Sequence, residues 1–537
     1  MIEVSQIRLP VNHDDADLER ALLRKLRVPA SDVLEWEVRK QAIDARHSGD
    51  TGVRLIYTLR ADLGERENEV LERLARRPDI RVSTDKTFEI ARPSPRAGGS
   101  RPLVIGAGPC GYFAALSLAR AGMNPIVLER GKAAGPRARD VTRFWRDGGE
   151  VDAESNVQFG EGGAGTFSDG KLYTGIKDRD GAVRFVLQEL AHHGAPAEIL
   201  IKGKPHIGTD KLIGVLRSIR GEILDLGGEI RFETRVDEVL LENGALRGIV
   251  SANGDEIGCA QAILAVGHSA RDTFEMLHRL GLPMEAKPFS IGARIEHPQA
   301  MIDRALYGEL AGHKRLGAAP YKFVRHGGKG GRSCYSFCMC PGGLVVAATS
   351  ERGHTVTNGM SSYARADANA NSGFMVEVSP ADYGDTGHPL AGVEFQRRWE
   401  RRAFELAADS ARAPAQLLGD FLQGVPSTEL GKVEPSYRPG VALTDLRECL
   451  PDYVVDTMRH AVSGIARQIP GFGRKDAILT AAETRSSSPL RIERDESLQS
   501  PAARGLYPAG EGAGYAGGIL SAAVDGLRVA RALEQGS

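Results

Sequence analysis

Hydrophobic positions along the first part of the chain change period several times, and each change marks an element. Alternation from Ile2 to Leu9 predicts a strand, and apolar residues at helical spacing from Asp15 to Leu26 predict a helix. Val33 to Ala45 and Val53 to Leu59 read as strands parted by the turn signal Ser48-Gly49-Asp50, and a charged helix follows from Glu65 to Arg76. A last strand near Thr87 to Ile90 completes the order βαββαβ, which suits a ferredoxin-like sandwich over residues 1–92. No cysteine or histidine cluster in it suits a metal or iron–sulfur centre, so a docking or interaction module is expected. Residues 93–101, rich in Pro, Gly and Ser, read as a linker.

Beyond the linker the alternation gives way to short unbroken apolar runs. Pro102-Leu103-Val104-Ile105 leads at once into Gly106-Ala107-Gly108-Pro109-Cys110-Gly111, an apolar helix to about Ala121, and a second run from Pro125 to Leu128 that ends in Glu129. This context makes the glycine spacing informative. Gly106 permits a tight turn, Gly108 lets a pyrophosphate approach the backbone, Gly111 lets helix pack on strand, and the helix start favours phosphate charge. An acid at position 129 suits the hydroxyls of an adenosine ribose without a 2′-phosphate, which leaves FAD and NAD as candidates.

Three later stretches share this character. Asn156 to Lys171 is dense in glycine, a composition suited to lining a ligand. A hairpin-like pair from Ile230 to Ile257 precedes Ala262-Ile263-Leu264-Ala265-Val266-Gly267-His268-Ser269. Finally, Leu506-Tyr507-Pro508-Ala509-Gly510-Glu511-Gly512-Ala513-Gly514-Tyr515-Ala516-Gly517-Gly518-Ile519 runs into an Ala-rich helix.

The length of 537 residues exceeds what one core usually serves. We therefore expect an α/β dinucleotide-binding domain in two pieces, 102–288 and 470–537, interrupted by an α+β substrate or cap domain over 289–469. The 69 basic and 70 acidic side chains nearly cancel, which gives no reason to expect a nucleic-acid or anionic-membrane partner. Six thinly spread cysteines fit a reducing compartment, and charge interrupts every apolar stretch at the N-terminus, so a cytoplasmic protein is expected.

With Arg39-Lys40-Gln41-Ala42-Ile43-Asp44-Ala45-Arg46, Arg294-Ile295-Glu296-His297-Pro298 and Cys338-Met339-Cys340-Pro341-Gly342-Gly343, these motifs resemble the family of uncharacterised FAD-dependent dehydrogenases, within the glutathione-reductase-like flavoprotein superfamily. The likeness spans the chain and carries no defined substrate. It implies a Rossmann-type domain of three-layer ββα architecture and non-covalent FAD. By that resemblance the cofactor is held by Gly106, Gly108, Pro109, Cys110, Gly111, Glu129 and Arg130, and by Gly162, Gly163, Thr166, Asp169, Gly170 and Lys171 of the glycine-rich stretch. Val236 would bond adenine through its backbone, beside Ala265 and Gly267. Gly510 and Glu511 would reach the ribityl chain, with Gly517, Gly518 and Ile519 bringing a helix start to the flavin pyrimidine.

The implied activity is a dehydrogenase or reductase passing hydride through flavin N5 to or from an unidentified small molecule. A flavin monooxygenase, or a flavin-bound redox sensor or assembly factor, are the alternatives. His268, Glu483 and Arg485 are the candidate catalytic groups, as polar residues on segments expected to reach the flavin. The run Gly471-Phe472-Gly473-Arg474 lacks the GxGxxG spacing that would announce a separate nicotinamide domain, which leaves NAD(P)H open as electron donor. Cys338 and Cys340 share a strand face by spacing; we read them as buried structural thiols, with a redox pair as the alternative. No CxxC or HxxxH accompanies them, so no metal site is expected.

Overall fold

The computed structural model describes residues 1–46, 52–84, 86–90, 100–384 and 387–536. The opening segment forms β1 (Ile2–Pro10), α1 (Asp15–Leu26), β2 (Glu35–Asp44), β3 (Arg54–Asp62), α2 (Glu67–Arg73) and β4 (Ile80–Val82). Asp14 caps α1, accepting from the Asp17 N–H at 2.7 Å while Asp17 accepts from the Asp14 N–H at 3.1 Å. The four strands make one antiparallel sheet in the order β2-β3-β1-β4. Strict alternation in β3 turns Leu55, Tyr57, Leu59 and Ala61 into the same core as Leu18, Leu22 and Leu26 of α1 and Val70 of α2.

The last strand lies at residues 80–82 and not at the expected Thr87–Ile90. Its position is set by pairing, Ile2 with Val82 and Val4 with Ile80, once α2 has ended at Arg73. Phe88 instead packs into the core of the next unit, under the guanidinium of Arg531. The turn signal at 48–50 and linker residues 93–99 lie outside the described residues.

The next unit comprises β5 (Leu103–Ile105), α3 (Pro109–Arg120), β6 (Ile126–Leu128), α4 (Ala134–Asp147), α5 (Ala182–His192), α6 (Thr209–Asp225), β7 (Glu229–Arg231), β8 (Val236–Glu242), β9 (Ala245–Ser251), β10 (Glu256–Gly258), β11 (Ala262–Leu264), α7 (Arg271–Arg279) and β12 (Met284–Ala286). Then come β13 (Phe289–Pro298), α8 (Gln299–Tyr307), β14 (Val324–Arg325), β15 (Cys334–Cys340), β16 (Leu344–Ala347), β17 (Thr357–Met360), β18 (Asn369–Val378), α9 (Ala391–Leu406), β19 (Ala413–Leu417), α10 (Leu418–Gln423), β20 (Val441–Leu443), α11 (Asp452–Gln468) and β21 (Ile478–Glu483). The chain closes with β22 (Leu490–Ile492), β23 (Leu506–Pro508) and α12 (Ile519–Gln535).

The short apolar runs become a parallel sheet, β23-β11-β5-β6-β7. Each run is apolar throughout because both of its faces are covered. Val104, Val127, Ile263 and Tyr507 face α3, α5, α6 and α12, whereas Leu103, Ile105, Leu128, Leu264 and Leu506 face the antiparallel sheet β10-β9-β8. Helix α12 lies so close along α3 that a Cβ at Gly526 would sit 2.2 Å from the Cys110 carbonyl oxygen.

The middle of the chain builds a seven-stranded sheet, β14-β15-β18-β13-β21-β19-β20, antiparallel except between β19 and β20. Its strand β21 extends the unit past the expected limit at residue 469. Its apolar core is continuous with that of the opening unit. Backbone bonds tie the opening unit to the second: the Gln41 N–H donates to the Ile201 carbonyl, and the Gly203 N–H donates to that of Gln41, both at 2.7 Å. The whole is a mixed α/β fold with parallel and antiparallel sheets, and among the described residues no helix is long and apolar enough to cross a membrane.

Candidate functional site

The carboxyl ends of the parallel strands open onto a cavity of about 670 Å³, within the range of small-molecule and cofactor sites. At its β5 side, three glycines have three different reasons to be glycine. Gly106 turns with φ 107°, and a Cβ there would lie 2.4 Å from the Ala265 carbonyl oxygen. A Cβ at Gly111 would lie 1.9 Å from the carbonyl oxygen of Gly106, so this residue seats α3 against the turn. Gly108 relieves no such clash: its nearest neighbour would be the Gly163 Cα at 3.9 Å. Its bareness keeps the space in front of the α3 N-terminus open.

A second helix starts at the same cavity. Gly518, with φ 147°, is the N-cap of α12, and Gly517 to Ala522 line the wall. Two helix N-termini, each with unpaired backbone N–H groups and a positive dipole end, thus share one cavity. That is an environment for an anion such as a pyrophosphate.

Glu129 stands at the end of β6 and accepts from the N–H groups of Ala107 at 2.8 Å, Gly131 at 2.9 Å and Gly160 at 2.8 Å. Its carboxylate therefore ties the glycine turn to the glycine-rich loop as well as lining the cavity. Arg130 beside it is clamped by Asp272 and Glu154 and stacks over Phe159. Thr234, Arg235 and Val236 complete this end.

The glycine-rich loop is shaped by a residue that sequence reasoning missed. Arg137 of α4 is fully buried and donates to the carbonyls of Asn156, Val157, Gly160, Glu161 and Gly163 at 2.7–3.2 Å. Burial pulls its guanidinium down to about 10, still charged at neutral pH.

The opposite end of the cavity is polar. Asp169 is buried between Arg365, Lys171 and the Ser361 hydroxyl; burial opposes its charge, but Lys171 and Arg365 outweigh burial and hold it below the usual carboxylate range. Gly267, His268, Ser269 and Arg485 form one wall, with Cys338 and Glu511 nearby. His268 is pulled down to about 4 by burial and by the cationic Arg485 and Arg271, so its ring is neutral at pH 7. Glu511 is pushed up to about 7 by burial, against a counteracting Lys287.

Behind that wall lies a charge lattice. Glu400 of α9 accepts from Arg271 at 2.7 and 2.9 Å, from Arg485 at 2.9 and 3.1 Å, and from the Thr484 hydroxyl at 2.7 Å. Arg485 in turn donates to Ser269 at 3.1 Å and Ser350 at 2.6 Å. Nothing in sequence named Glu400, although a carboxylate in register with the buried Gln396 and Ala403 of α9 was the available signal.

Of the expected residues, Gly106, Gly108, Pro109, Cys110, Glu129, Arg130, Gly163, Asp169, Gly170, Lys171, Val236, Ala265, Gly267, His268, Arg485, Glu511, Gly517, Gly518 and Ile519 line this one cavity. Gly111, Gly162, Thr166 and Gly510 stand behind its wall: Thr166 bonds the Glu161 carbonyl at 3.0 Å, and the Gly510 N–H bonds Asp525 at 2.7 Å. Glu483 must be corrected. It ends β21 within the seven-stranded sheet and turns its carboxylate onto Arg294 at 3.1 Å, so it does not line the cavity. The pairing of β21 with β13 and β19 fixes that direction.

A family model described as FAD-dependent protein, C-terminal domain-like, matches residues 288–486, and a domain of unknown function matches residues 1–62. An uncharacterized protein of Clostridium beijerinckii is 47% identical over 529 residues, covering 98% of each chain. Protein FixC of Salmonella typhi is 29% identical over 214 residues, 37% of this chain and 44% of its own length. Among solved structures, L-proline dehydrogenase from P. horikoshii is similar over 82% of this chain and 94% of its own, at 13% identity and a TM-score of 0.35.

Proposed function

This chain belongs to the same family as the Clostridium beijerinckii protein, and from that premise we propose that it is an FAD-dependent oxidoreductase handling hydride equivalents for a small-molecule substrate. Its cofactor is FAD: the matched family is described as FAD-dependent, and the residues present fit the group. The observation that carries the reading is the meeting of two glycine-capped helix N-termini with Glu129 in one cavity.

FAD supplies reversible acceptance of two electrons with a proton. The chain does the rest. Gly108 and the α3 N-terminus would hold the pyrophosphate, and Glu129, already fixed by three backbone donors, would offer its remaining lone pairs to the ribose. The α12 N-terminus would supply a positive dipole end to negative charge on a bound flavin. Neutral His268, bonded through Nδ1 to Ser269 at 3.1 Å, keeps Nε2 for a proton. Arg485, anchored by Glu400, presents a permanent cation toward an anionic substrate group.

We take the opening unit as ferredoxin-like, from its strand order, and the parallel unit as Rossmann-type with three layers. The domain limits are 1–92, 93–101, 102–288, an inserted domain carried on from 289 through β21, and a closing piece of the FAD domain. A cytoplasmic location and a contact role for the opening unit are part of the same reading, supported by the sparse cysteines and by the Gln41 bonds.

The test is the absorption spectrum of the protein reconstituted with FAD, recorded without oxygen before and after NADH and NADPH. A retained flavin band that bleaches with one nucleotide names the donor; a retained band that does not bleach turns the search to direct substrates. A chain that keeps no flavin sinks the reading.

A further inference from the structure

The surroundings of Cys338 and Cys340 differ from those of every other cysteine in the chain. Cys110, Cys259, Cys334 and Cys449 are buried, and burial pushes each thiol up. Cys338 lines the FAD cavity, and Cys340 lies buried behind it. Between Phe337 and Cys340 the register with β18 slips, and Cys338 adopts φ 39°. A regular strand would hold i and i+2 Cα atoms roughly 6.6 Å apart, near the upper end of the ~4.4–6.8 Å that a disulfide bridges. The kink instead sets both sulfurs 3.7 Å from one ammonium, Lys171 Nζ. Arg294 closes the pair from the other side, 3.7 Å from the Cys340 sulfur and 2.8 Å from the Cys338 carbonyl oxygen.

The two thiols are electrostatically unequal. Cys338 is held well below the usual thiol range, first by its hydrogen bond with Cys340 and then by Lys171 and Arg294, against burial and Asp169. Cys340 is pushed up by burial. Tyr173, Glu483 and Glu511 also lie within electrostatic reach of Cys338, whose negative charge helps to raise each of them. Burial alone disfavours the ammonium of Lys171, but the two sulfurs and Asp169 outweigh it and keep it charged. An accessible low-pKa thiol backed by a buried partner is the arrangement of an attacking and a resolving cysteine.

We propose that Cys338 and Cys340 are a redox-active pair that exchanges two electrons with FAD and with thiol or disulfide substrates. The proposal rests on the FAD-oxidoreductase reading and names its substrate class. Towards FAD, the Cys340 S–H bond breaks and an S–S bond forms to the Cys338 thiolate; two electrons and that one proton pass to FAD, and the same exchange run in reverse from reduced FAD regenerates the Cys338 thiolate and the Cys340 thiol. Towards a disulfide substrate, the Cys338 thiolate attacks one sulfur, the substrate S–S bond breaks, and half the substrate leaves as thiolate. Cys340 then attacks the Cys338 sulfur, its proton passing to the departing sulfur, which forms the internal disulfide and releases the second half as thiol. Lys171 is a positioning residue that stabilises the thiolate.

The experiment uses the full chain reconstituted with FAD. Air-oxidised protein, quenched in acid and treated with N-ethylmaleimide, is expected to give a peptide with Cys338 and Cys340 joined and unalkylated. Anaerobic dithiothreitol should make both alkylatable and bleach the flavin. Cys340→Ser should abolish the internal disulfide and slow bleaching by at least about tenfold, whereas Cys449→Ser should change neither. Lys171→Met should move the pH profile of Cys338 alkylation upward. If both thiols alkylate fully in oxidised, flavin-loaded protein, the pair is overturned and the FAD reading stands. If no flavin is retained after reconstitution, the FAD reading falls and the proposed coupling falls with it, even where mass spectrometry still finds the disulfide.

Discussion

The guanidinium of Arg137 donates to the carbonyl oxygen of Gly163 at 2.9 Å from beneath the glycine-rich loop. With four further carbonyls on the same group, one side chain of α4 holds the loop in shape. Arg137→Met is expected to cost about 3–5 kcal/mol, because buried acceptors lose their donors together. Arg137→Lys should recover part of this, since an ammonium has three donors for five carbonyls. Urea denaturation measures both, and a loss near zero would show that the loop holds itself.

Gly108 and Gly111 should separate cofactor affinity from stability. Gly111→Ala places a Cβ 1.9 Å from a backbone oxygen and is expected to lower the melting temperature sharply. Gly108→Ala meets no protein atom closer than 3.9 Å, so stability without FAD should change by no more than about 1 kcal/mol, the scale of an N-cap substitution. Its FAD dissociation constant should rise at least about tenfold, since the Cβ enters the phosphate path. Equal affinity in Gly108→Ala and wild type, by fluorescence titration, would move the pyrophosphate elsewhere.

Glu400 compensates two buried guanidiniums, so Glu400→Gln should destabilise by about 3–5 kcal/mol. The mutation leaves Arg271 and Arg485 facing each other with a neutral amide between. A variant as stable as wild type in chemical denaturation would mean that Glu351, which also pairs with Arg271, carries the compensation.

His268 sets a pH dependence whose sign follows from its depressed value. With a folded-state value of about 4 against an ordinary 6.5, the unfolded chain takes up the proton first as the solution is acidified. The stability associated with neutral His268 is therefore present above pH 6.5 and lost progressively toward pH 4. His268→Asn should flatten that part of the curve of melting temperature against pH in flavin-free protein. A ring resonance titrating near 6.5 by NMR would contradict the burial argument.

What was legible in sequence was what local backbone geometry dictates. Gly106, Gly108 and Gly111 are required by one turn and its helix, and Glu129 follows at the end of the next strand, so their grouping could be read directly. Gly517 and Gly518 were legible for the same reason. Arg137 and Glu400 were not, because their partners come from distant segments and nothing in their immediate neighbours encodes them. Glu483 failed differently: an apolar run shows that β21 is buried, but not which of two sheets receives it, and that choice directs the carboxylate. Strand β4 was misplaced because three residues carry too little pattern to outweigh its pairing with β1.

Strand β23 adds to the parallel sheet beside β11, and α12 covers α3 from the far end of the sequence. A growing polypeptide that has made everything through β22 still leaves α3 without α12, whose Val524 and Leu527 belong to the same apolar core as Phe113 and Leu116. Such an intermediate is sticky, and it cannot yet offer the second anion-binding helix end. Flavin capture would therefore wait until β23 and α12 have been made, when the half-site becomes whole.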